Sequence, residues 1–345
     1  MPALVFDENS VLEAIDAVVS KTFQMDFNWD WPAGVAFYGV AEAYEATGKA
    51  EYLDLLKSWM DERLEDGLPK LSVNGVSMGH ALLSLYTATN EQKYLDTALQ
   101  LAEFLQQDAE RFGDGILQHT VNSTTYIFHE QAWVDTMMMA GLFLLRIGKL
   151  TGNIDYFNDG LRQYHGHEDA LQDPLTDLYY HGWDNIERSH MSGVFWARGN
   201  GWAALTMAKA LELIEVTHPS FMIIDGSLRD QLSALARLQD ENSGLWHTVL
   251  TDSSSYLEVS GSCGILAALL TRGSLYNKYT QKAIPSILER ITEEGKVMNV
   301  SAGTAVMDDT AGYKAVPFKR IHGWGQGLAL VYLSQLLKSS KRVYA

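Results

Sequence analysis

One pattern recurs three times in the first half of the chain and restricts the fold more than any other feature. Glu42-Ala-Tyr-Glu-Ala-Thr-Gly-Lys-Ala-Glu-Tyr-Leu53 is echoed by Leu83-Ser-Leu-Tyr-Thr-Ala-Thr-Asn-Glu-Gln-Lys-Tyr-Leu95, and again by Leu144-Leu-Arg-Ile-Gly-Lys-Leu-Thr-Gly-Asn-Ile-Asp-Tyr-Phe157. Each copy reads as the end of one helix, a Thr-Gly or Thr-Asn corner, and a tyrosine that starts a second helix. Gly or Asn at that point suits the left-handed residue that closes a helix, and the tyrosine can pack back across the corner. Repetition of this unit predicts consecutive α-hairpins.

The helices leading into these corners begin in an unusual way. Asp30-Trp-Pro-Ala-Gly-Val-Ala-Phe-Tyr-Gly39, Val76-Ser-Met-Gly-His-Ala-Leu-Leu83 and Glu130-Gln-Ala-Trp-Val-Asp135 open the first three. The series continues with Ala197-Arg-Gly-Asn-Gly-Trp-Ala-Ala204, Ser260-Gly-Ser-Cys-Gly-Ile265 and Ile321-His-Gly-Trp-Gly-Gln-Gly-Leu328. All six start with small residues mixed with polar or aromatic ones and then turn apolar. Between them run amphipathic stretches such as Tyr52–Glu65 and Lys93–Gln106. An all-round apolar helix requires burial, whereas an amphipathic one covers a surface. The expected fold is therefore all-α: six buried helices ringed by six outer ones, an (α/α)6 barrel, with an open helical solenoid as the alternative. The ring accounts for the special helix starts, because all six would converge at one end and line a pocket. Only 7 prolines and no Ser/Gly/Pro-rich linker interrupt the pattern, so residues 1–345 are read as a single domain.

Composition excludes several classes of function. The chain carries 26 Lys plus Arg against 43 Asp plus Glu, a formal charge of −17, which disfavours a nucleic-acid partner but leaves room for an anionic small ligand held by a local cation. No apolar run reaches the roughly 18 residues of a membrane span. The single Cys263 cannot form an internal disulfide and precedes aliphatic residues, which predicts a buried, unreactive thiol. With no signal-peptide pattern at the start, the default compartment is the cytoplasm. The ten histidines show no HExxH spacing, His165-x-His167 reads as part of a polar connection, and neither a metal nor another cofactor is expected. The net charge does not bear on oligomeric state.

Three segments carry candidate chemistry. Asp135 sits between Trp133 and Met137-Met-Met139. It is either a first-turn aspartate complementing the positive helix end or an acid tuned for proton transfer; apolar neighbours would raise its pKa and the helix end would lower it. In Arg198-Gly-Asn-Gly-Trp202 the two glycines allow a tight loop into a helix beginning at Ala203, with Arg198 placed to grip a carboxylate by its guanidinium fork; a solvated Asn-Gly turn is the alternative. Tyr179-Tyr-His-Gly-Trp-Asp184 gathers ring faces and polar edges in one loop, as sugar binding requires, although a lone histidine such as His181 is more often structural. Gly115-Ile-Leu-Gln-His119 and Gly244-Leu-Trp-His247 look like copies of one β-turn element, whose histidines could simply pack.

Trp133-Val-Asp135, His181-Gly-Trp-Asp184 and Trp196-Ala-Arg-Gly-Asn-Gly-Trp202, in that order, resemble the unsaturated rhamnogalacturonyl hydrolases of glycoside hydrolase family 105, relatives of the unsaturated glucuronyl hydrolases of family 88. The likeness extends from about Trp31 to His322-Gly-Trp-Gly325. It implies an (α/α)6 barrel and a substrate left by a polysaccharide lyase, a small acidic oligosaccharide ending in a 4,5-unsaturated uronic acid, with rhamnose as the favoured leaving sugar. It further implies hydration of the C4=C5 bond, with Asp135 first protonating C4 and then acting as base for water at C5. By the same likeness Arg198, His181, Trp202 and Trp133, and also His119 and Trp31, contact substrate. One departure stands out. Where the family carries a second aspartate, this chain has Leu71-Ser-Val-Asn-Gly-Val, so Asn74 would supply an amide in place of a carboxylate. An epimerase or inverting glycosidase on the same toroid, an unsaturated glucuronyl hydrolase, and a non-catalytic helical scaffold are the competing readings.

Overall fold

The computed structural model describes residues 4–123 and 125–342. Its long helices come in six pairs: α1 (Glu8–Phe23) with α2 (Trp31–Thr47), α3 (Ala50–Glu65) with α4 (Gly79–Thr89), and α5 (Gln92–Gln107) with α6 (Leu142–Thr151). The series continues with α7 (Ile154–Leu171) and α8 (Ala197–Leu213), α9 (Pro219–Arg237) and α10 (Val259–Thr271), then α11 (Asn277–Leu288), the short α12 (Thr310–Ala315) and α13 (Gly323–Arg342). The second member of each pair is buried over most of its circumference, whereas the first buries one stripe and exposes the rest. Successive buried helices pack on one another from α2 to α13, and α13 then packs along α2. That last contact closes the ring and rules out an open solenoid.

The three corners behave alike. Gly48, Asn90 and Gly152 each close a buried helix in the left-handed region, at φ of 71°, 58° and 71°. The preceding threonine explains the rest of the motif. Thr47, Thr89 and Thr151 each donate to the carbonyl four residues back, at 2.7, 2.8 and 2.7 Å. Each then accepts the N–H of the residue two ahead, at 3.3, 3.2 and 3.3 Å. Two of the three tyrosines also link neighbouring outer helices. Tyr52 on α3 hydrogen-bonds Asp16 on α1, and Tyr94 on α5 donates to Asp61 on α3 at 2.6 Å, so each ties one outer helix to the one before.

Small residues at the buried helix starts set how closely the helices approach. A Cβ on Gly39 of α2 would overlap the Gly327 carbonyl of α13, and one on Gly201 of α8 would meet the Gly261 carbonyl of α10 at 2.8 Å. This corrects the expected loop at Arg198-Gly-Asn-Gly. The segment is already helical from Ala197, neither glycine has positive φ, and Asn200 uses its amide to hold the Tyr179 backbone at 2.8 and 2.9 Å. His165 and His167 likewise lie on helix α7 and not in a connection: His165 bonds the Ser220 hydroxyl and His167 the Gln163 carbonyl.

Short antiparallel strands occupy the connections into the buried helices: β1 (Arg111–Phe112) with β2 (Ile116–Leu117), β3 (Gln131–Trp133) with β4 (Gly182–Asp184), and β5 (Trp246–His247) with β6 (Leu257–Glu258). One continuous core runs from Val11 to Leu337. At the end of the ring away from the strands, Glu42 of α2 is gripped by Lys209 of α8 at 2.8 Å and Lys338 of α13 at 3.0 Å. Among the described residues no helix is long and apolar enough to cross a membrane.

Candidate active site

A repeated clasp aligns the helix starts. The carbonyls of His181, Thr248 and Asn299 accept the N–H groups of Val134, Ala197 and Val259 at 3.0, 2.9 and 2.9 Å. In each case the following residue, Asp135, Arg198 or Ser260, begins the turn into a buried helix. Asn74 is held comparably, its N–H donating to the Thr120 carbonyl at 3.1 Å. Equivalent positions of successive hairpins thereby face the same end of the ring. Asp135 gains further definition from the β3–β4 ladder, in which Trp133 pairs with Gly182, and from a π-helical turn over Met137–Gly141 that precedes α6.

These residues surround a cavity of ≈ 200 Å³. Trp31, Asn74, His119, Trp133, Asp135 and Arg198 line its inner wall, with Val121, Tyr126 and Phe128 on one rim and Gly303, Thr304 and Ala305 on the other. A larger crevice of ≈ 760 Å³ lies outside the ring between α1 and α3, but its Asp16 and Lys49 already pair with each other at 2.5 Å. Unmet hydrogen-bonding capacity is concentrated in the wall of the smaller cavity and just behind it. Asn74 Oδ1, His119 Nδ1, Asp135 Oδ2 and His181 Nε2 are all buried without a partner. Buried polar atoms are ordinarily satisfied, so the three orphans on Asn74, His119 and Asp135 in one cavity wall mark a place where a polar ligand completes them.

Ring stacking fixes the wall. His119 lies flat on Trp133, centroids 4.1 Å apart and 6° from parallel, and Trp133 meets the edge of His181 at 5.2 Å. His181 in turn abuts Trp196 at 4.2 Å. Arg198 bridges the gap to the other side, its guanidinium carbon 4.3 Å from the Trp196 ring and 5.3 Å from Trp324, and Trp324 stacks on Trp31 at 4.4 Å.

Asp135 is 9% exposed, and Oδ2 stands 3.6 Å from His181 Nε2. The opposing effects foreseen for its pKa now have a sum. Burial pushes the carboxyl up, but His181, His119 and Arg198 together hold it below the ordinary 3.8. Burial also drives His119 down to about 3 and lowers His181 despite the facing carboxylate, so both imidazoles are neutral near pH 7. Arg198, 1% exposed, gives its N–H groups to the Ser301 carbonyl at 2.8 Å, the Ser301 hydroxyl, the Ala302 carbonyl at 2.9 Å and Thr304 Oγ1 at 3.2 Å. The guanidinium is thus built into the cavity wall as a fixed charge.

Not every residue singled out in the sequence reaches the cavity. Trp202 is fully buried in the main core, and His181 stands behind Trp133 with only its Nε2 edge turned to Asp135. Tyr179 is also a core residue, bonded to Ser227 at 2.8 Å, and Tyr180 stacks on His190, so neither offers a face to a sugar. His247 packs away from the site, bonded to the Ser255 carbonyl at 2.6 Å. Cys263 is buried as expected, its thiol pushed up by burial. Conversely, the structure adds Tyr126, Phe128, Trp324 and the Ser301–Ala305 cradle. The aromatic run Tyr126-Ile-Phe128 within a polar stretch was a usable signal for the first two; the cradle residues carry none.

The chain matches the model of glycosyl hydrolase family 88 over residues 7–340. It belongs to that family. Among relatives of this family 88 hydrolase, the unsaturated rhamnogalacturonyl hydrolase YesR of Bacillus subtilis is 66% identical over 344 residues, covering 100% of both chains. A possible glycoside hydrolase family 105 member from Salmonella enterica serovar Paratyphi A superposes with a TM-score of 0.92 at 28% identity, over 99% of this chain and 97% of that one. The unsaturated glucuronyl hydrolase of Bacillus sp. GL1, at 14% identity, shares the fold with a TM-score of 0.72 over 96% and 97% of the two chains. The expected (α/α)6 architecture is therefore the architecture of the family 88 hydrolase described here.

Proposed function

We propose that this hydrolase removes a terminal 4,5-unsaturated uronic acid from small acidic oligosaccharides produced by polysaccharide lyases, with unsaturated galacturonyl-rhamnose as its preferred substrate. One observation carries the reading: among the described residues lining the cavity, Asp135 is the sole carboxylate, and one of its oxygens is free. Ordinary glycosidases need two carboxyl groups across the scissile bond. Here the other nearby carboxylates are engaged as helix caps, Asp30 by the Trp31 N–H at 2.8 Å and Glu258 by the Gly261 and Ser301 N–H groups at 2.6 and 3.0 Å. Hydration of an enol-ether double bond requires only one group acting twice.

Asp135 first gives a proton to C4, leaving positive charge at C5 beside the ring oxygen. The resulting carboxylate then takes a proton from water as that water adds to C5. The hemiketal so formed opens and releases the leaving sugar. Because Asp135 is ionised in the free enzyme, the proton has to arrive as substrate binds. A bound uronate brings a like charge and displaces water, and both raise a carboxyl pKa. In this reading the fixed Arg198 charge, itself 4.0 Å from the buried Glu258, balances the substrate carboxylate, which matters in a chain of net charge −17. His119 and Asn74 offer neutral donors and acceptors to ring hydroxyls, and Trp31 and Trp133 offer ring faces.

The rhamnose assignment rests on the 66% identity to YesR and on the apolar rim, where Tyr126 and Ile127 are 65% and 69% exposed and suit a sugar bearing a methyl group. Residues 1–345 act as one catalytic unit in this reading, supported by the continuous core. We place its action in the cytoplasm, on imported lyase products. The test follows the ultraviolet absorbance of the conjugated double bond across unsaturated disaccharides that differ in leaving sugar. Absorbance loss fastest with rhamnose supports the proposal, and no loss with any of them refutes it.

A further inference from the structure

We infer that Tyr313 is a positioning residue that holds His181 in the tautomer whose Nε2–H faces the Asp135 carboxylate. The kinetic consequence rests on the role proposed for Asp135; the geometry does not. Tyr313 lies on α12, whose start is capped by Asp309, and its side chain enters a small apolar cluster with Val194, Trp196 and Val249, apart from the main core. Its hydroxyl stands 2.9 Å from His181 Nδ1.

What lies on the far side of the imidazole decides which atom donates. A phenol oxygen has one hydrogen to give and accepts at its lone pairs. Across the ring, Nε2 faces the Asp135 carboxylate, which when ionised can only accept, so the imidazole proton belongs on Nε2. Nδ1 is then the bare nitrogen and accepts the Tyr313 hydrogen. Since His181 is neutral, its proton sits on Nε2, 3.6 Å from Asp135 Oδ2. The charged groups facing this imidazole are Asp135 on one side and Arg198 on the other. In the opposite tautomer the Nε2 lone pair would confront the carboxylate, leaving the ionised form of Asp135 without its nearest donor. Because Asp135 must pass through that ionised form between protonating C4 and activating water, the tautomer governs both half-steps while Tyr313 touches no substrate.

Nitrogen-15 correlation spectra of histidine-labelled protein, with His181 assigned through a His181→Gln variant, test the geometry without any substrate. The wild-type spectrum is expected to show protonated Nε2 and bare Nδ1; the reverse pattern overturns the proposal. Tyr313→Phe keeps the ring and removes the donor. We expect it to mix or reverse the tautomers, to lower kcat about tenfold, the effect of one hydrogen bond, and to leave KM within about twofold. An unaltered His181 spectrum or an unaltered kcat in a folded Tyr313→Phe protein overturns it, as does a further loss of kcat when Tyr313→Phe is added to His181→Gln. A wild-type enzyme inert toward every unsaturated disaccharide would sink the proposed activity and leave the tautomer result standing.

Discussion

Asp135 is held as a carboxylate by the facing His181 together with His119 and Arg198, yet the proposed reaction begins with its protonated form. This conflict makes a distinctive pH prediction. With the free-enzyme pKa below 3.8, kcat/KM is expected to fall as pH rises through the range above it, by up to tenfold per unit. The corresponding limb of kcat, which reports the complex, is expected at higher pH because the substrate carboxylate and the loss of water both favour protonation. Coincident limbs in the two profiles would contradict substrate-assisted protonation. Asp135→Asn should abolish turnover, a loss of at least about 10²–10⁴-fold, with the circular dichroism spectrum unchanged. A variant that retains turnover would exclude Asp135 as the proton donor. Asn74 shares the cavity with Asp135 and cannot ionise, so it adds no limb of its own to either profile.

The helix starts serve two purposes at once. Trp31, Asp135 and Arg198 of these starts face the cavity, and the glycines permit the close helix contacts that bring them together. Gly39→Val should therefore cost about 1–3 kcal/mol or more through overpacking of α2 against α13, read as a lowered denaturation midpoint. Gly48→Ala tests a different physics. Nothing lies within 4 Å of the added Cβ, so the penalty comes only from the left-handed backbone, about 1–2 kcal/mol. If Gly48→Ala proved the more damaging of the two, close approach would not be the reason for glycine in the buried helices.

Across the whole molecule, chemistry occupies one end of the ring and a charged plug the other. Glu42 bridges α2 to α8 and α13, and its two lysine partners hold its pKa well below 4.5. Lys209→Met should destabilise the protein by about 3–5 kcal/mol by weakening the pairing of a buried carboxylate, while KM remains unchanged because the plug is remote from the cavity. A changed KM would mean the two ends are coupled. Acid should loosen the molecule through two sets of groups. Glu42 is depressed on folding, so its stabilisation is present above the unfolded value of 4.5 and is lost as pH falls below it. His80, His119 and His167 are buried neutral, lowered to about 3, 3 and 4, so the unfolded chain takes up protons that the folded one refuses once pH drops below 6.5. The melting temperature is expected to decline from about pH 6.5 downward, and a flat profile between 6.5 and 4.5 would show that these histidines do not resist protonation.

Local sequence was sufficient for the repeat. The Thr-Gly corners and the alternation of buried and amphipathic helices are properties of short segments, and both kept their predicted character because hydrophobic periodicity and helix capping act over a few residues. Two helix starts did not, Arg198 being helical where a loop was expected and Gln131–Trp133 forming a strand. Asp135 could be picked out from its own segment, whereas Asn74, His119 and Trp31 are singled out by the resemblance to family 105. What only the tertiary structure decided depends on distant segments meeting. Closure of the ring needs α13 to lie along α2, nearly three hundred residues away. Trp202 reads like a site residue but is drawn into the core by the crossing of α8 with α10, and Arg198 is fixed by the Ser301–Thr304 segment more than a hundred residues beyond it. The sign of the pKa shift at Asp135 and the contact of Tyr313 with His181 belong to this second class. Both depend on charges and donors that no local pattern brings within a few ångströms.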